Sequence, residues 1–222
     1  MIGIVCGLKS EAACAPQAPG FSVGVTGASA ERAAEIARRL AAEGAEGLIS
    51  FGVSGALAPD LQPGSLLLAA EIRDARGPVA FDASLTEKLA ARLAGDGCEA
   101  SRKIIYGSDL LVTSIEEKRR LHEETGAEAV DMESHAVARI AAEKGLPFAA
   151  LRAIADAADC VLPVGAQQAV GPDGGTRLLS VLAGIARRPG ELGALIRLGR
   201  DSQTAHAALR SASGAIRQLT MP

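Results

Sequence analysis

The chain has 222 residues, 48% of them hydrophobic, which is enough for one domain with a large buried core and short for two. Its formal net charge is −3 with both signs interspersed, so the sequence lacks the basic surface that nucleic-acid binding requires. The four cysteines, Cys6, Cys14, Cys98 and Cys160, form no C-x-x-C pair and no histidine-rich pattern lies near them. We therefore expect reduced thiols in a cytoplasmic protein, with no metal site.

The N-terminal segment MIGIVCGLKSEAACA begins apolar and ends in small residues, as a signal peptide does. It has no basic n-region, however, and Lys9 and Glu11 interrupt its apolar stretch. We predict a first strand and a loop there instead. Elsewhere no apolar run approaches the roughly 20 residues that cross a bilayer.

Short apolar runs that favour strands alternate along the chain with segments of helical periodicity. The predicted strands cover residues 2–7, 21–27, 47–55, 64–72, 102–107 and 147–155, and their continuous apolar character is typical of strands buried on both faces. The predicted helices cover residues 29–44, 84–95, 114–126 and 133–145. Gly44 and Gly145 should end two of these helices, and Ser114 and Glu117 should form a capping box. The alternation predicts an α/β fold of three layers, α/β/α, around a mixed, twisted sheet.

The C-terminal segment differs in kind from the rest. Residues 161–175 are predicted to form a loop, and from about Pro189 apolar residues recur at spacings of three and four with arginines between them. These apolar residues are Leu198, Ala205, Leu209, Ala212, Ile216 and Leu219. We interpret residues 189–222 as a C-terminal amphipathic helical extension of a 1–188 domain, packed on its own core or on a neighbouring subunit. A basic amphipathic helix on a membrane surface is the alternative.

Acidic residues follow three of the strands. Glu11 follows the first strand, Asp131 and Glu133 follow the segment EAV, and Asp156 follows the last strand. Any one of them could be only a first-turn acid that favours a helix N-terminus. Because ligands of open α/β sheets bind at the carboxyl ends of the strands, the acids together favour a site at that edge.

The segment SFGVSGALAP places Gly52 and Gly55 at a strand end, where missing side chains let backbone amides approach a ligand. It does not spell the G-x-G-x-x-G pattern of dinucleotide-binding loops, and no Walker lysine motif is present. On spacing alone, a tight turn is an equal alternative.

Several motifs together resemble the nucleoside phosphorylase and methylthioadenosine/S-adenosylhomocysteine nucleosidase superfamily. They are GIVCGLKSE, VTGAS, FGVSGALAPDLQPGSLLLA, GSDLLV and AVDMESHAVARIAAEKGLPFAALRAIADAAD, in the family's order and spacing. The resemblance runs from about residue 2 to residue 185 and is strongest at VDMES and RAIADAAD. Within the superfamily, the tail RRPGELGALIRLGRDSQTAHAAL is similar to that of the hopanoid-associated phosphorylases.

This resemblance implies an enzyme that cleaves the N-glycosidic bond of a purine nucleoside. Asp156 would be the general acid at N7 of the departing purine, since adenine leaves poorly as an anion. Glu11 would activate water at the anomeric carbon. The substrate-binding residues implied by the resemblance are Glu133 on the ribose hydroxyls, Met132 against the sugar, the backbone of Val112 at the purine edge, and the backbone of Gly55.

The chain departs from the family pattern at its phosphate-binding residues and at two residues near the base and the acid. Where phosphorylases set an arginine and a serine to hold phosphate, it has Ser50, Phe51 and Val53, and only Ser54 and free amides could substitute. Leu111 stands where nucleosidases carry a stacking aromatic, and Ala155 stands where they carry a serine beside the acid. The nucleophile, water or inorganic phosphate as a co-substrate, therefore stays open, and no other cofactor is implied.

Three polar residues are interpreted as structural. Asp131 precedes Met132, so in a strand their side chains point to opposite faces and Asp131 should serve the fold. His135 on the following helix is interpreted as a packing or surface residue. Arg152 lies inside an apolar strand and should pair with an acid.

The segment ARGPVAFDA is shorter than the family segment that encloses the nucleoside's 5′ side, which leaves room for a large 5′ substituent. The predicted function is release of adenine from a 5′-substituted adenosine, with adenosylhopane as the substrate that the hopanoid resemblance implies. The alternatives are a methylthioadenosine/S-adenosylhomocysteine nucleosidase and a non-catalytic nucleoside-binding protein. A homo-oligomer is expected, in the cytoplasm or in peripheral contact with the inner membrane through the C-terminal helix.

Overall fold

The computed structural model describes residues 1–162, 174–175 and 192–219, so the predicted loop at 161–175 lies almost wholly outside the described residues. The strands are β1 (Ile2–Cys6), β2 (Phe21–Val25), β3 (Gly47–Ala56), β4 (Leu66–Asp74), β5 (Gly77–Val79), β6 (Ala100–Gly107), β7 (Ala129–Asp131) and β8 (Phe148–Asp156). The helices are α1 (Lys9–Ala12), α2 (Ala30–Ala42), α3 (Ser84–Gly95), α4 (Ile115–Thr125), α5 (Ser134–Lys144) and α6 (Leu192–Arg217).

The predicted α/β class with a mixed sheet is confirmed, and every predicted strand and helix has a counterpart in the structure. The sequence analysis missed β5 and α1. Strand β5 pairs antiparallel with the end of β4 across a tight turn, and it is too short to show a period. Helix α1 is a single turn, which periodicity also fails to detect.

The sheet is more closed than the sequence suggests. Strand β1 pairs in parallel with β2 and β3, while β8 lies between β3 and β4, parallel to the first and antiparallel to the second. Strand β6 pairs in parallel with β4 and β7, and the end of β3 pairs antiparallel with β7. Strands β3, β8, β4, β6 and β7 therefore form a closed ring, a closure that the predicted mixed, twisted sheet did not specify. The long β3 makes this closure because its two ends pair with different neighbours.

Helices cover the sheet on two faces. On one face, leucines of α3 and the second half of α6 pack in one apolar cluster with side chains of β1, β3, β4 and β8. On the other face, Ala33, Ala37 and Leu40 of α2 pack in a cluster with side chains of α5. These two layers on a central sheet give the α/β/α arrangement.

The helix ends follow the local sequence. The Ser114 hydroxyl accepts a hydrogen bond from the Glu117 backbone N–H at 3.1 Å and caps α4, which is half of the predicted capping box. Gly145 ends α5 in the left-handed conformation at φ 64°, as predicted. Gly44 follows the end of α2 with φ 94°.

Helix α6 contacts the core of its own chain. Of its predicted apolar residues, Ala205, Leu209, Ala212 and Ile216 are fully buried. Nearer its N-terminus Ile196 is 50% exposed. Within the described part of the chain, no helix combines the length and apolarity needed to cross a bilayer. Membrane contact through α6 and formation of a homo-oligomer stay predictions.

Candidate active site

Gly55 of β3 lies where three strands meet. It pairs with Val130 of β7 on one side and with Asp156 of β8 on the other. A Cβ atom on Gly55 would lie 3.0 Å from Oδ2 of Asp156, so a larger residue would displace that carboxyl. The junction brings the carboxyl ends of β7 and β8 together.

A cavity of about 170 Å³ opens at this junction. Its walls include all eight residues predicted for the site, namely Glu11, Ser54, Gly55, Leu111, Val112, Met132, Glu133 and Asp156. Gly7, Leu8, Ala28, Val53, Leu110, Val130, Asp131 and Leu162 complete its described lining. The structure thus brings the predicted residues together, while the individual roles assigned to them stay predictions.

Glu11 enters the cavity from α1. Its side chain is buried, and its two carboxylate oxygens accept hydrogen bonds from the backbone N–H groups of Leu8 and Val53, both at 2.8 Å. Burial raises the pKa of Glu11, while Arg152 and the two amides oppose that rise. A carboxylate offers about four lone-pair positions, so Glu11 can still accept a proton from a water molecule.

Glu133 lies at the N-terminus of α5 and is also buried. Burial raises its pKa to about 8, with Asp131 and Glu11 adding to the rise and Arg152 opposing it. A Cβ atom on Gly7 would lie 2.8 Å from Oε1 of Glu133 and 3.3 Å from Oε2 of Glu11, so the two carboxyls flank the same glycine. Two neighbouring buried carboxyls disfavour double ionisation. Because two backbone amides stabilise the Glu11 carboxylate, we place the shared proton on Glu133 and the negative charge on Glu11.

The predicted pairing of Arg152 with an acid is confirmed. Its Nε lies 2.6 Å from Oδ2 of Asp131, and one terminal nitrogen lies 3.5 Å from Oε2 of Glu133. The other oxygen of Asp131 accepts from the backbone N–H of Ser134 at 3.1 Å, which anchors the start of α5. Asp131 therefore has the structural contacts that were expected of it, and it holds the arginine beside Glu133.

Gly52 packs closely against two side chains of the site. A Cβ atom there would lie 2.6 Å from Nη1 of Arg152 and 2.7 Å from Oε1 of Glu11. The glycine is therefore required by the close packing of these two side chains, and the same holds for Gly55 against Asp156.

Lys118 is a buried charged residue that the sequence analysis missed. It lies on α4, is fully buried, and its Nζ is 2.5 Å from Oδ2 of Asp156. Burial raises the pKa of Asp156, and Lys118 opposes that rise. The spacing of three that places Lys118 and Leu121 on one helix face is visible in the sequence, but it does not by itself show that the lysine is buried.

The remaining predicted residues form the apolar and neutral part of the cavity. Val112 is buried, whereas Leu111 is 44% exposed and Leu110 is 77% exposed. The Ser54 hydroxyl is buried and has no hydrogen-bond partner among the described residues, so it is available to a ligand or a water molecule. His135 lies outside this cavity, with Nε2 3.1 Å from Asp109, in agreement with a role in packing.

A wider cleft of about 940 Å³ adjoins the cavity and shares Ala28 and Leu110 with it. The short hairpin between β4 and β5 borders this cleft through Asp74, Ala75 and Arg76, and much of its lining is charged. Over the described ranges, no group of three or more histidine, cysteine or acidic side chains is arranged to hold a metal ion.

The raised pKa of Glu133 predicts a pH dependence of stability. Its carboxyl ionises at pH 4.5 when exposed and near pH 8 when buried, so the folded protein binds more protons than the unfolded chain between these values. The free energy of unfolding should therefore fall as pH rises through this window, by at most about 1.4 kcal/mol per pH unit for this one group. Glu133→Gln should flatten the fall in denaturant unfolding, and the exposed control Glu87→Gln should leave it unchanged. Equal slopes in wild type and Glu133→Gln would contradict the assignment.

The comparisons with known proteins agree with this architecture. Among solved structures, a methylthioadenosine/S-adenosylhomocysteine nucleosidase of Helicobacter pylori superposes with a TM-score of 0.73 at 18% identity, covering 98% of each chain. Futalosine hydrolase of the same organism superposes with a TM-score of 0.69 at 19% identity, covering 98% of this chain and 97% of that one. An aspartate-to-asparagine variant of the H. pylori nucleosidase, with 5′-methylthioadenosine in its active site, gives 0.69 at 17% identity, covering 98% of each chain.

These identities are low, so the superpositions establish the fold alone. A sequence comparison with curated proteins found no match. The family model described as the phosphorylase superfamily matches residues 20–187, which is well over half of the chain. The chain belongs to the phosphorylase superfamily and is an N-glycosyl-cleaving enzyme of the nucleosidase and phosphorylase type.

Proposed function

We propose that this enzyme hydrolyses the N-glycosidic bond of a 5′-substituted adenosine and releases adenine. The observation that carries the proposal is one buried cavity that contains a carboxyl suited to protonate the base, Asp156, and a pair of carboxyls suited to the sugar, Glu11 and Glu133. The pKa values of all three are raised by burial.

Departure of adenine requires a proton at N7, because the bond electrons would otherwise stay on a poorly stabilised anion. Asp156 supplies that proton in the proposal, and burial favours its protonated form. Val112 lies in the same wall, where its backbone would contact the purine edge, and the side chain of Leu111 would cover the ring. The aliphatic cover gives a looser stack than an aromatic ring.

The sugar would lie beside Glu133 and Met132. A protonated Glu133 can donate one hydrogen bond to a ribose hydroxyl and accept another. Glu11, held as a carboxylate by two amides, would take a proton from the water that attacks the anomeric carbon. With one proton between the two carboxyls, Glu11 can act as the general base while the protonated Glu133 binds the ribose at the same pH.

Water is the nucleophile that the charges of the cavity favour. None of the described residues lining the cavity is lysine, arginine or histidine. The nearby Arg152 is already surrounded by Asp131, Glu133 and Glu11, each of which raises its pKa. A phosphate dianion would enter a region of carboxylates without a cation of its own, at a large electrostatic cost.

For the 5′ substituent we propose a bulky apolar group, with adenosylhopane as the substrate. Leu110 and Leu111 line the cavity while being substantially exposed, which gives it an apolar border. The short β4–β5 hairpin adds little chain around the adjoining cleft. The fold shared with methylthioadenosine/S-adenosylhomocysteine nucleosidases supports the second candidate, in which the 5′ group is small.

The test is adenine release from 5′-methylthioadenosine and from a 5′-alkyl adenosine with a lipid-sized chain, each with and without inorganic phosphate. We expect release that does not depend on phosphate, with the larger substrate giving the higher kcat/KM. Dependence on phosphate would overturn hydrolysis, and preference for the small substrate would favour the second candidate. Absence of release from either substrate would overturn the proposed substrate class.

A further inference from the structure

We propose that Lys118 is a positioning residue for Asp156, which fixes the carboxyl by an ion pair from α4 and sets the pH range in which the acid works. The inference rests on the proposed function, because it assigns Lys118 a part in the protonation of the departing purine. Its basis is a fully buried lysine whose ion pair lies at the wall of the cavity.

Three oxygen atoms surround Nζ of Lys118. Nζ donates to the backbone carbonyls of Ala157 and Cys160 at 2.8 and 3.0 Å, and to Oδ2 of Asp156 at 2.5 Å. An ammonium group has three N–H donors and no acceptor, so these three partners use all of them.

The contact with Lys118 gives the two carboxyl oxygens of Asp156 different surroundings. Oδ2 accepts from Lys118, whereas Oδ1 has no hydrogen-bond partner among the described residues. Asp156 lines the cavity, so Oδ1 is the atom available to a ligand. The neighbouring Ala155 has no side-chain donor that could orient the carboxyl. The task of orienting it falls to Lys118.

The ammonium group has two opposite effects on the acid. When the proton on Oδ1 passes to N7, the O–H bond breaks, an N7–H bond forms, and the electrons of the glycosidic bond stay with adenine. Lys118 stabilises the carboxylate that this transfer leaves, which makes Asp156 a stronger acid. In the free enzyme it also lowers the pKa of Asp156, which burial raises, and so limits the pH at which a proton is present.

Other charged groups act on Asp156 or on its neighbour Cys160. Asp201 of α6 raises the pKa of Asp156, and the Cys160 thiol lies close enough for Asp156 to raise the thiol pKa. Arg197 of α6 acts on Cys160 in the opposite direction. Lys118 exerts the largest effect of a charged group on Asp156, so removing it should dominate the change.

The test is the pH profile of adenine release by Lys118→Met. We expect kcat in the acidic plateau to fall about 10- to 100-fold, since Asp156 becomes a weaker and less ordered acid. We also expect the basic limb of kcat/KM to move up by about one pH unit or more, since the opposing charge is gone. Lys118→Arg, which keeps the charge, should return the basic limb towards its wild-type position. The control Lys103→Met removes a lysine that pairs with Glu128 outside the cavity, and its profile should match wild type.

Lys118→Gln provides a second neutral variant if Lys118→Met does not fold, because its amide can still donate to a backbone carbonyl. A fall in kcat with an unmoved basic limb in the neutral variants would overturn the proposal and leave Lys118 a purely structural role. An inactive wild-type enzyme would instead contradict the proposed function, so the two failures are distinguishable.

Discussion

Replacing Asp156 with asparagine is expected to lower kcat for adenine release by about 10²- to 10⁴-fold, the usual contribution of a positioned general acid. The amide keeps the shape of the carboxyl and can donate a hydrogen bond, but it cannot transfer a proton to N7. KM should change much less than kcat, because the groups around the sugar and the purine edge are intact. Steady-state kinetics of adenine release measure both quantities.

The ion pair makes a stability control necessary for this variant. Asparagine in place of the acid would leave the Lys118 ammonium buried without a counter-charge, which costs about 3–5 kcal/mol when one partner of a buried pair is removed. The double variant Asp156→Asn/Lys118→Met removes both charges and should regain part of that stability while staying inactive.

Asp96→Asn is the control, since Asp96 accepts hydrogen bonds from Gln218 at 3.1 Å and lies outside both the cavity and the adjoining cleft. It should leave kcat within a few-fold of wild type. Near-normal turnover by a folded Asp156→Asn variant would remove Asp156 from the role of acid.

Local sequence was a good guide to the elements and a poor guide to the closure of the sheet. Apolar runs such as residues 47–55 predict strands because buried strands need apolar side chains on both faces. Nothing in the run reveals that Gly55 and Ala56 leave the pairing with β1 and pair with β7 instead. Such pairing depends on residues distant in sequence, whose register the apolar pattern does not encode.

The sequence predicted the acidic residues of the candidate site but not its buried lysine. Acids that follow strands can be recognised in the sequence as site residues, because several strands end at the same edge of the sheet. Glu11, Glu133 and Asp156 do line one cavity. Lys118 was hidden in a charged helix, where lysine is usually solvated. Only the packing of α4 shows that this lysine is buried against Asp156. For Arg152, the sequence likewise predicted an acidic partner but not which acid it would be.

Glu11→Gln is expected to lower kcat about 10²- to 10⁴-fold, because the neutral amide cannot take a proton from the attacking water. Glu11 also holds Leu8 and Val53 through their backbone N–H groups. Glutamine can accept from only one of them through its oxygen, and an unsatisfied buried donor costs about 1–3 kcal/mol. The variant should therefore lose stability as well as turnover, and the two effects have to be separated.

The affinity for adenine separates the effect on turnover from the effect on stability, since other walls of the cavity bind the purine. If Glu11 is the general base, the Kd for adenine should stay within about three-fold of wild type while kcat falls by orders of magnitude. If Glu11 only anchors the two backbone segments, affinity and turnover should decline together, since Val53 precedes the Ser54 and Gly55 walls. Glu128→Gln is the control, because Glu128 accepts a hydrogen bond from the backbone N–H of Ile104 at 3.4 Å yet lies outside the cavity. Wild-type turnover by Glu11→Gln would leave Glu133 as the base and reverse the placement of the shared proton.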